Sequence, residues 1–275
     1  MQGLLAGVNF DLMYSYQKKA STHKNKGRTT WDKRAKEMNS KIHEGHYNDV
    51  IRKKVDLSSA KTLLDVGCGP GTFALCLAKN VEHVYAFDFS TQMLACLEEN
   101  KKLQNIKNIS GFQADIEDSW DDIPVCDVVL ASRCMEVNNL AKTLANLDAH
   151  AKQAVYMTFK VGSSFLSEIL LHEIGKEVVP RPDYIYVLNI LYQMGIFACV
   201  EFITPLDKRC CEGPSMEEYV EAISWSLDGI SDEEANRARR YYKRCKDEGI
   251  EPELRDNRWA LISWKKPCNK HKGYK

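Results

Sequence analysis

The chain has 275 residues, of which 44% are hydrophobic and 28% are charged, and its formal net charge is zero. That composition is typical of a globular protein with a sizeable core, and the balanced charge argues against a general affinity for nucleic acids or membranes. None of the ten cysteines forms a C-x-x-C pair, which excludes a zinc ribbon or a thioredoxin-type motif. The sequence shows no signal peptide and no apolar run of membrane-spanning length, so we expect a reducing, cytoplasmic setting.

The first part of the chain, residues 1–60, is polar and predicts a helical N-terminal lid. Hydrophobic side chains recur there at helical spacing, at Trp31, Ala35, Met38 and Ile42. In such a pattern Trp31 is either a core residue or part of a lid over a ligand, and the sequence leaves both interpretations open.

The tetrapeptide HEGH, at His43 to His46, invites comparison with the zinc-protease motif H-E-x-x-H. That motif requires its second histidine where this chain has Tyr47. His43 and His46 are three residues apart and can share one helix face, but no third ligand is apparent. We therefore expect no metal site.

From Lys61 onward, strand-like apolar runs alternate with helical ones, beginning with TLLDVG and TFALCLAKN. This alternation predicts a Rossmann-like, doubly wound and mostly parallel sheet of seven strands over residues 61–275. The runs ACVEFIT and RWALISWKK are the last two predicted strands, with a helical insertion at about 207–257 between them. Sheets of this class bind ligands beyond the carboxyl ends of their strands.

The turn after the first predicted strand, GCGPG, contains Gly67, Gly69 and Gly71. Bare backbone at such a bend lets a ligand approach closely, with the N-terminus of the next helix pointing at it. The second predicted strand ends in Asp88, whose carboxylate can accept two hydrogen bonds from a ribose diol. The dinucleotide pattern G-x-G-x-x-G is not met, because its last glycine position holds Thr72. These features predict an adenosine-containing ligand and disfavour a pyrophosphate.

The pattern D-V-G-C-G-P-G resembles the first motif of class I S-adenosylmethionine-dependent methyltransferases. The likeness continues through FDFS, GFQADIED and CDVVLASRCMEV, and covers roughly residues 61–162 in order and spacing. It implies S-adenosylmethionine as the cofactor and S-adenosylhomocysteine as the product. The residues that it implies for cofactor binding are Asp65, Gly67, Gly69, Gly71, Asp88, Phe89, Met93, Asp115, Ile116 and Ser132.

The resemblance also implies what the acids would hold: Asp65 the cofactor's ammonium group, Asp88 its ribose and Asp115 its adenine amino group. It places Arg133 and Glu136 beside the methyl-transfer site, which makes them candidate catalytic residues. Glu136 is a candidate general base by position, a role needed only if the acceptor loses a proton. Candidates by chemistry alone are Tyr14, Tyr16, His43 and His46. The sequence does not choose among them.

The segment PRPDYIYVLNILYQMG resembles an uncharacterised bacterial and archaeal branch of the same family. Its Pro-Arg-Pro run prevents a continuous helix, and a new helix is expected to begin with Asp183 as a cap. That helix either packs on the sheet or brings Tyr184 and Tyr186 to a substrate pocket.

The methyl acceptor is predicted to be a small molecule, methylated by direct in-line displacement. Where amine methyltransferases of nucleic acids often carry [DN]-P-P-[YF], this chain reads ASRCMEV, and it has no basic stripe for a polyanion. Two helical additions to the core would enclose a modest pocket. The alternatives are an RNA or protein methyltransferase, a non-catalytic S-adenosylmethionine-binding protein, and an NAD oxidoreductase. The oligomeric state is left open.

Overall fold

A computed structural model describes residues 7–162, 164–204, 214–254 and 258–267. Its seven strands are β1 (Thr62–Val66), β2 (His83–Asp88), β3 (Ile109–Gln113), β4 (Cys126–Ala131), β5 (Ala151–Lys160), β6 (Cys199–Ile203) and β7 (Trp259–Lys265). They form one sheet in the order β3-β2-β1-β4-β5-β7-β6, in which β7 pairs antiparallel with both neighbours and all other pairs are parallel. The predicted mostly parallel, seven-stranded sheet is confirmed.

Helices cover both faces of this sheet. Within the described ranges they are α1 (Phe10–Ala20), α2 (Arg28–Lys41), α3 (His46–Lys54), α4 (Thr72–Leu77), α5 (Thr91–Leu103), α6 (Leu140–Ala149), α7 (Glu168–Ile174), α8 (Ile185–Gln193), α9 (Met216–Leu227) and α10 (Asp232–Asp247). Successive residues of a strand point to opposite faces. Leu63 of β1 therefore joins the core beneath α3 and α4, whereas Leu64 joins the core beneath α6 and α8.

Helices α1 and α2 pack near the end of the sheet at which the parallel strands reach their carboxyl ends. In α2, buried Ala35 packs with Met93 and Cys96 of α5, so this part of the predicted helical pattern is a packing face. In α1, the hydroxyl of Tyr14 donates to the carbonyl of Val137 at 2.6 Å, which ties the helix to the loop after β4. None of the described helices has both the length and the apolarity needed to cross a lipid bilayer.

The segment between β6 and β7 contains α9 and α10, which pack with α7 around a separate hydrophobic cluster that includes Leu170, Tyr219 and Tyr241. Each of the two helices begins with a capping box, in which Ser215 and Ser231 exchange hydrogen bonds with a glutamate three residues later. Residues 207–213 and 255–257 of the predicted insertion lie outside the described residues.

Helix α8 follows the Pro-Arg-Pro run as predicted, but it packs on the sheet. Its residues Val187, Ile190 and Leu191 are buried in the core, and the hydroxyl of Tyr186 donates to Gln17 of α1. The N-cap is Tyr184, so the expectation that Asp183 caps the helix is wrong. Asp183 instead accepts from the backbone N–H of Tyr184 at 2.6 Å.

Candidate active site

A cavity of about 610 Å³ lies beyond the carboxyl ends of β1, β2, β4 and β5. Because β7 is antiparallel, its first residue, Trp259, reaches the same edge and pairs with Lys160 of β5. Trp31 of α2 and Trp225 of α9 both line the cavity, with their rings edge to face and their centroids 6.3 Å apart. We call these two side chains the aromatic roof. Ligand sites of small molecules have volumes of roughly 300–1,000 Å³, so the cavity has a suitable size.

The glycine turn forms the floor of the cavity, and its three glycines differ in role. All three have positive φ, at +61° for Gly67, +54° for Gly69 and +91° for Gly71. A Cβ atom at Gly67 would lie 2.5 Å from Cys134 Cβ, and one at Gly71 would lie 2.4 Å from Leu97 Cδ1. A Cβ atom at Gly69 would meet nothing within 4 Å. Gly69 thus leaves room for a ligand, whereas Gly71 does not line the cavity and is required by packing.

Two buried carboxylates stand on either side of this turn. Asp88 accepts from the backbone N–H of Gly69 at 2.9 Å and from that of Ser90 at 2.8 Å. Asp65 accepts from the backbone N–H of Ala74 at 2.9 Å, at the start of α4. Burial raises the pKa of Asp88, and it raises the pKa of Asp65 to about 7 despite the bond from Ala74. Both carboxyl groups are therefore suited to a cationic ligand that compensates their loss of water.

The loop after β3 adds a third carboxylate, on Asp115, which also accepts from the backbone N–H of Glu117 at 3.1 Å. Apolar side chains line the cavity close by, and they are Phe89, Met93 and Ile116. We call this region, with Asp65, Asp88 and Asp115, the acidic end. Apolar walls and three carboxylates around an open glycine fit an adenosyl group that carries positive charge. S-Adenosylmethionine, with its sulfonium and ammonium groups, is such a ligand.

The loop after β4 carries Ser132 and Arg133 into the cavity, and a hydroxyl network holds it in place. The hydroxyl of Tyr47 lies 2.8 Å from Ser132 Oγ and 2.7 Å from Thr158 Oγ1. The backbone N–H of Arg133 donates to Thr158 Oγ1 at 2.9 Å, with the residue in the left-handed region at φ +58°. The Arg133 guanidinium lies 4.2 Å from the centre of the Tyr47 ring, and its Nη2 donates to Asn48 Oδ1 at 3.3 Å.

Glu136 lies beyond this loop, between two basic side chains. Its Oε2 is 3.2 Å from His23 Nε2, and its Oε1 forms an ion pair with Arg181 Nη2. Although burial favours the neutral acid, the bond with His23 and the charge of Arg181 lower the pKa of Glu136 to about 2. A carboxylate this acidic is a poor proton acceptor near neutral pH.

Nearby, the ring of Phe165 contacts three basic groups. Its centroid is 4.3 Å from the Arg181 guanidinium, 5.9 Å from Lys160 Nζ and 5.0 Å from the His23 ring centroid. We call this region the basic end, comprising His23, Arg133, Glu136, Lys160, Phe165 and Arg181. Because the acidic and basic ends line one cavity, a bound ligand pair experiences opposite electrostatic potentials along its length.

The structure brings nine of the ten residues proposed for cofactor binding to this cavity, and Gly71 is the exception. Of the candidate catalytic residues, Arg133 and Glu136 line it. Four others do not: Tyr14, Tyr16, His43 and His46. Within the described ranges, no group of three or more His, Cys, Asp or Glu side chains is arranged to hold a metal ion.

Several residues that line the cavity were not predicted from the sequence, and they are His23, Thr158, Lys160, Phe165, Arg181, Trp225 and Trp259. Tyr47, which bonds to Ser132, was not predicted either. Tyr47 reaches the site only through its hydroxyl network. The Pro-Arg-Pro run was a usable signal for Arg181, because an arginine between two prolines has a restrained backbone and cannot be part of a helix. The others come from segments far apart in the sequence and carry no local pattern.

Comparisons with known proteins agree with this site. A family model described as a methyltransferase domain matches residues 63–154. A Haemophilus influenzae protein described as uncharacterized is 36% identical over 259 residues, which is 94% of this chain and 96% of that protein. The chain is also 33% identical over 88 residues to the 23S rRNA (uracil(1939)-C(5))-methyltransferase RlmD of the same organism, but these represent 32% of this chain and 20% of that enzyme.

The solved structure of the [4+2]-cyclase SpnF shares the fold, with a TM-score of 0.58 and 16% identity over 87% of this chain and 95% of that one. Because the identity is only 16%, this similarity shows that the fold is shared and nothing more. The strand order, the glycine turn with its paired acids, and the match to the methyltransferase model agree with one another. The chain belongs to the class I S-adenosylmethionine-dependent methyltransferases and uses S-adenosylmethionine as its methyl donor.

Proposed function

We propose that this enzyme transfers a methyl group to a small-molecule acceptor bound at the basic end of the cavity. The observation that carries the proposal is the aromatic roof: Trp31 and Trp225, in contact with each other, line a cavity of about 610 Å³, which has room for a cofactor and a modest second ligand. Both side chains come from the helical additions, which supports the interpretation of residues 1–60 as a lid.

At the acidic end, we assign cofactor binding to the residues implied by the family motifs. Asp88, aligned by Gly69 and Ser90, is suited to the ribose, and Asp65 to the ammonium group. Asp115 is suited to the adenine amino group, between the apolar walls already described. Gly71 acts indirectly, by letting α4 begin close to α5.

When bound, the cofactor supplies a methyl group already activated by its positive sulfonium. The chain's contribution is then chiefly to orient the acceptor and to exclude water, and alignment of this kind lowers a barrier by roughly 7–11 kcal/mol. For an acceptor that loses a proton, His23 is the base that the geometry supports. Glu136, ionised and 3.2 Å from His23 Nε2, holds that ring in place.

An RNA acceptor is the second candidate, because of the local similarity to RlmD. That similarity spans only a fifth of RlmD, and the aromatic roof together with a net charge of zero favours a small acceptor over a polynucleotide. A protein acceptor and a purely binding role have no specific observation in their favour. We also propose a reducing compartment, since all seven described cysteines are free thiols.

The decisive experiment supplies the enzyme with S-adenosylmethionine labelled in the methyl group and a bacterial cell extract. The extract is separated afterwards into small molecules, RNA and protein. Label in the small-molecule fraction that persists after nuclease and protease treatment supports the proposal. Label that stays with RNA, or that becomes small only after digestion, contradicts it.

A further inference from the structure

Arg181, at the basic end, is a buried charged side chain, and some of its hydrogen-bond donors have no partner in the protein. The residue is only 6% exposed, and it follows the first proline of the Pro-Arg-Pro run. Glu136 engages Nη2, whereas Nε and Nη1 are buried and have no hydrogen-bond partner in the protein. A guanidinium carries one N–H on Nε and two on Nη1, so three of its five donors are unmatched. Leaving such donors unmatched is costly unless a ligand or water accepts from them.

The surroundings of Arg181 favour an acceptor group with negative charge. Its guanidinium stacks on Phe165, and Lys160 Nζ and the His23 ring contact the same aromatic ring. Arg133, which also lines the cavity, supplies a further positive charge. Glu136 is the carboxylate among these groups that line the basic end, and it already pairs with both Arg181 and His23. Hydrogen bonds from a guanidinium to an anion are roughly twice as strong as neutral ones.

We propose that the Arg181 guanidinium, which lines the cavity and has two nitrogens without a partner in the protein, anchors the methyl acceptor through an anionic group, either a carboxylate or a phosphate. This inference rests on the proposed function, since it names the chemical class of the small acceptor. An anion held there lies at the end of the cavity opposite the three carboxylates, so the two ligands are sorted by charge. The cationic cofactor is favoured at the acidic end and the anionic acceptor at the basic end.

The first test uses the wild-type enzyme saturated with S-adenosylhomocysteine and measures the thermal shift caused by matched fragments. The anions are benzoate, phenylacetate, glutarate, phenyl phosphate and inorganic phosphate. Benzamide, phenylacetamide, glutaramide and phenol are the neutral matches. We expect at least one anion to give the same thermal shift as its neutral match at one tenth of the concentration or less. Preference among carboxylates or among phosphates identifies the group. Equal or stronger effects of the neutral fragments overturn the proposal.

The second test compares three variants with the best anion. Arg181→Lys keeps a positive charge beside Glu136 but removes the Nε and Nη1 donors, and we expect its anion affinity to fall at least tenfold. Arg181→Gln with Glu136→Gln removes both charges together, so that no buried charge is left unpaired, and it should lose the anion's advantage over the neutral match. Arg239→Gln removes an arginine that pairs with Glu217 on the surface, and it should bind the anion like the wild type.

S-Adenosylhomocysteine affinity, measured by calorimetry in every variant, separates the two proposals. If the wild type fails to bind this cofactor product, the proposed function fails with it. If all variants bind it normally and Arg181→Lys also binds the anion as tightly as the wild type, only the anchoring role of Arg181 is refuted.

Discussion

The acidic and basic ends of the cavity differ in how the chain builds them. The acidic end comes from consecutive strand–turn units, each of which delivers its functional residue within a few positions of a strand's end, as Asp65 and Asp88 show. The basic end is assembled from four distant segments. These supply His23 before α2, the loop after β4, Lys160 at the end of β5 with Phe165 shortly after it, and Arg181 before α8. One end is therefore determined by the fold and the other by long-range packing.

This difference explains a division of labour. The end of β2 is bonded to the turn after β1, because the Asp88 carboxylate accepts from the backbone N–H of Gly69, so the proposed cofactor site cannot change without disturbing the sheet. The basic end rests on side-chain contacts, such as those of Phe165 with Arg181 and His23, which can vary while the sheet is preserved. If the acceptor binds at the basic end as proposed, the choice of acceptor can be altered with little change to cofactor binding.

The largest expected effect concerns the glycine turn, where Gly69 leaves room for a ligand and Gly71 is required by packing. Gly69→Val should place its side chain in the open part of the acidic end and weaken S-adenosylhomocysteine binding at least 100-fold, or about 2.7 kcal/mol. Its positive φ adds a strain of about 1–2 kcal/mol to the folded state. Calorimetry measures the affinity, and thermal unfolding verifies that the variant folds.

Gly71→Val is the matched control, because it puts the same side chain against Leu97 rather than in the cavity. We expect it to lower the unfolding temperature more than Gly69→Val does, since overpacking adds about 1–3 kcal/mol to the backbone strain. If Gly69→Val binds the cofactor product normally, the acidic end is not where the cofactor lies.

Asp88→Ala should weaken cofactor binding by about 1–3 kcal/mol, because a charged hydrogen-bond acceptor is lost. It also leaves the N–H groups of Gly69 and Ser90 without their acceptor, so the turn itself is loosened. Asp88→Asn retains one acceptor oxygen and should lose less. Unchanged affinity of Asp88→Ala in calorimetry would contradict the assignment of this carboxylate to the ribose.

The same contrast accounts for what the sequence could predict. Strand–helix alternation and the glycine spacing are local patterns, and they predicted the sheet and nine residues that line the acidic end and its border with the loop after β4. Glu136 was also placed in the cavity, but its pairing with His23 and Arg181 brings together residues over 100 and about 45 positions away. No local pattern records such pairings, so neither the low pKa of Glu136 nor its contact with His23 could be predicted.

The pH dependence of cofactor binding should report on Asp65. Its pKa is raised to about 7, so below that pH the carboxyl must lose a proton before it can pair with the cofactor's ammonium group. Affinity for S-adenosylhomocysteine should therefore fall by up to about tenfold per pH unit as the pH drops below 7. For the same reason, the contribution of Asp65 to the stability of the free protein is lost as the pH rises from about 4 to about 7.

Asp65→Asn is the control for this titration, because its amide does not ionise. Calorimetry from pH 5.5 to 8.5 should give a steeper profile for the wild type than for the variant, and the difference isolates Asp65 from ionisation of the ligand. Parallel profiles would contradict the prediction, because Asp65 would then either keep one protonation state throughout or make no contact with the ammonium group.

The smallest expected effect concerns the aromatic roof. The experiment tests whether the roof contributes to binding at one end of the cavity or at both. Trp225 contacts Trp31 and also stacks with the guanidinium of Arg34 at 4.1 Å. Trp225→Ala should raise the KM for the acceptor identified by methyl labelling by about 2- to 12-fold, equivalent to the 0.5–1.5 kcal/mol of an aromatic contact. The Kd of S-adenosylhomocysteine should stay within about twofold of the wild type, since the acidic end is fixed by the sheet.

Trp225→Phe keeps an aromatic ring in the roof, so its KM for the acceptor should return close to the wild-type value. An equal loss of affinity for cofactor and acceptor in Trp225→Ala would show that the roof closes over both ends together. In that case the lid, rather than the strand ends, would determine cofactor affinity. The two ends would then differ in chemistry, but they would not contribute separately to the binding free energy.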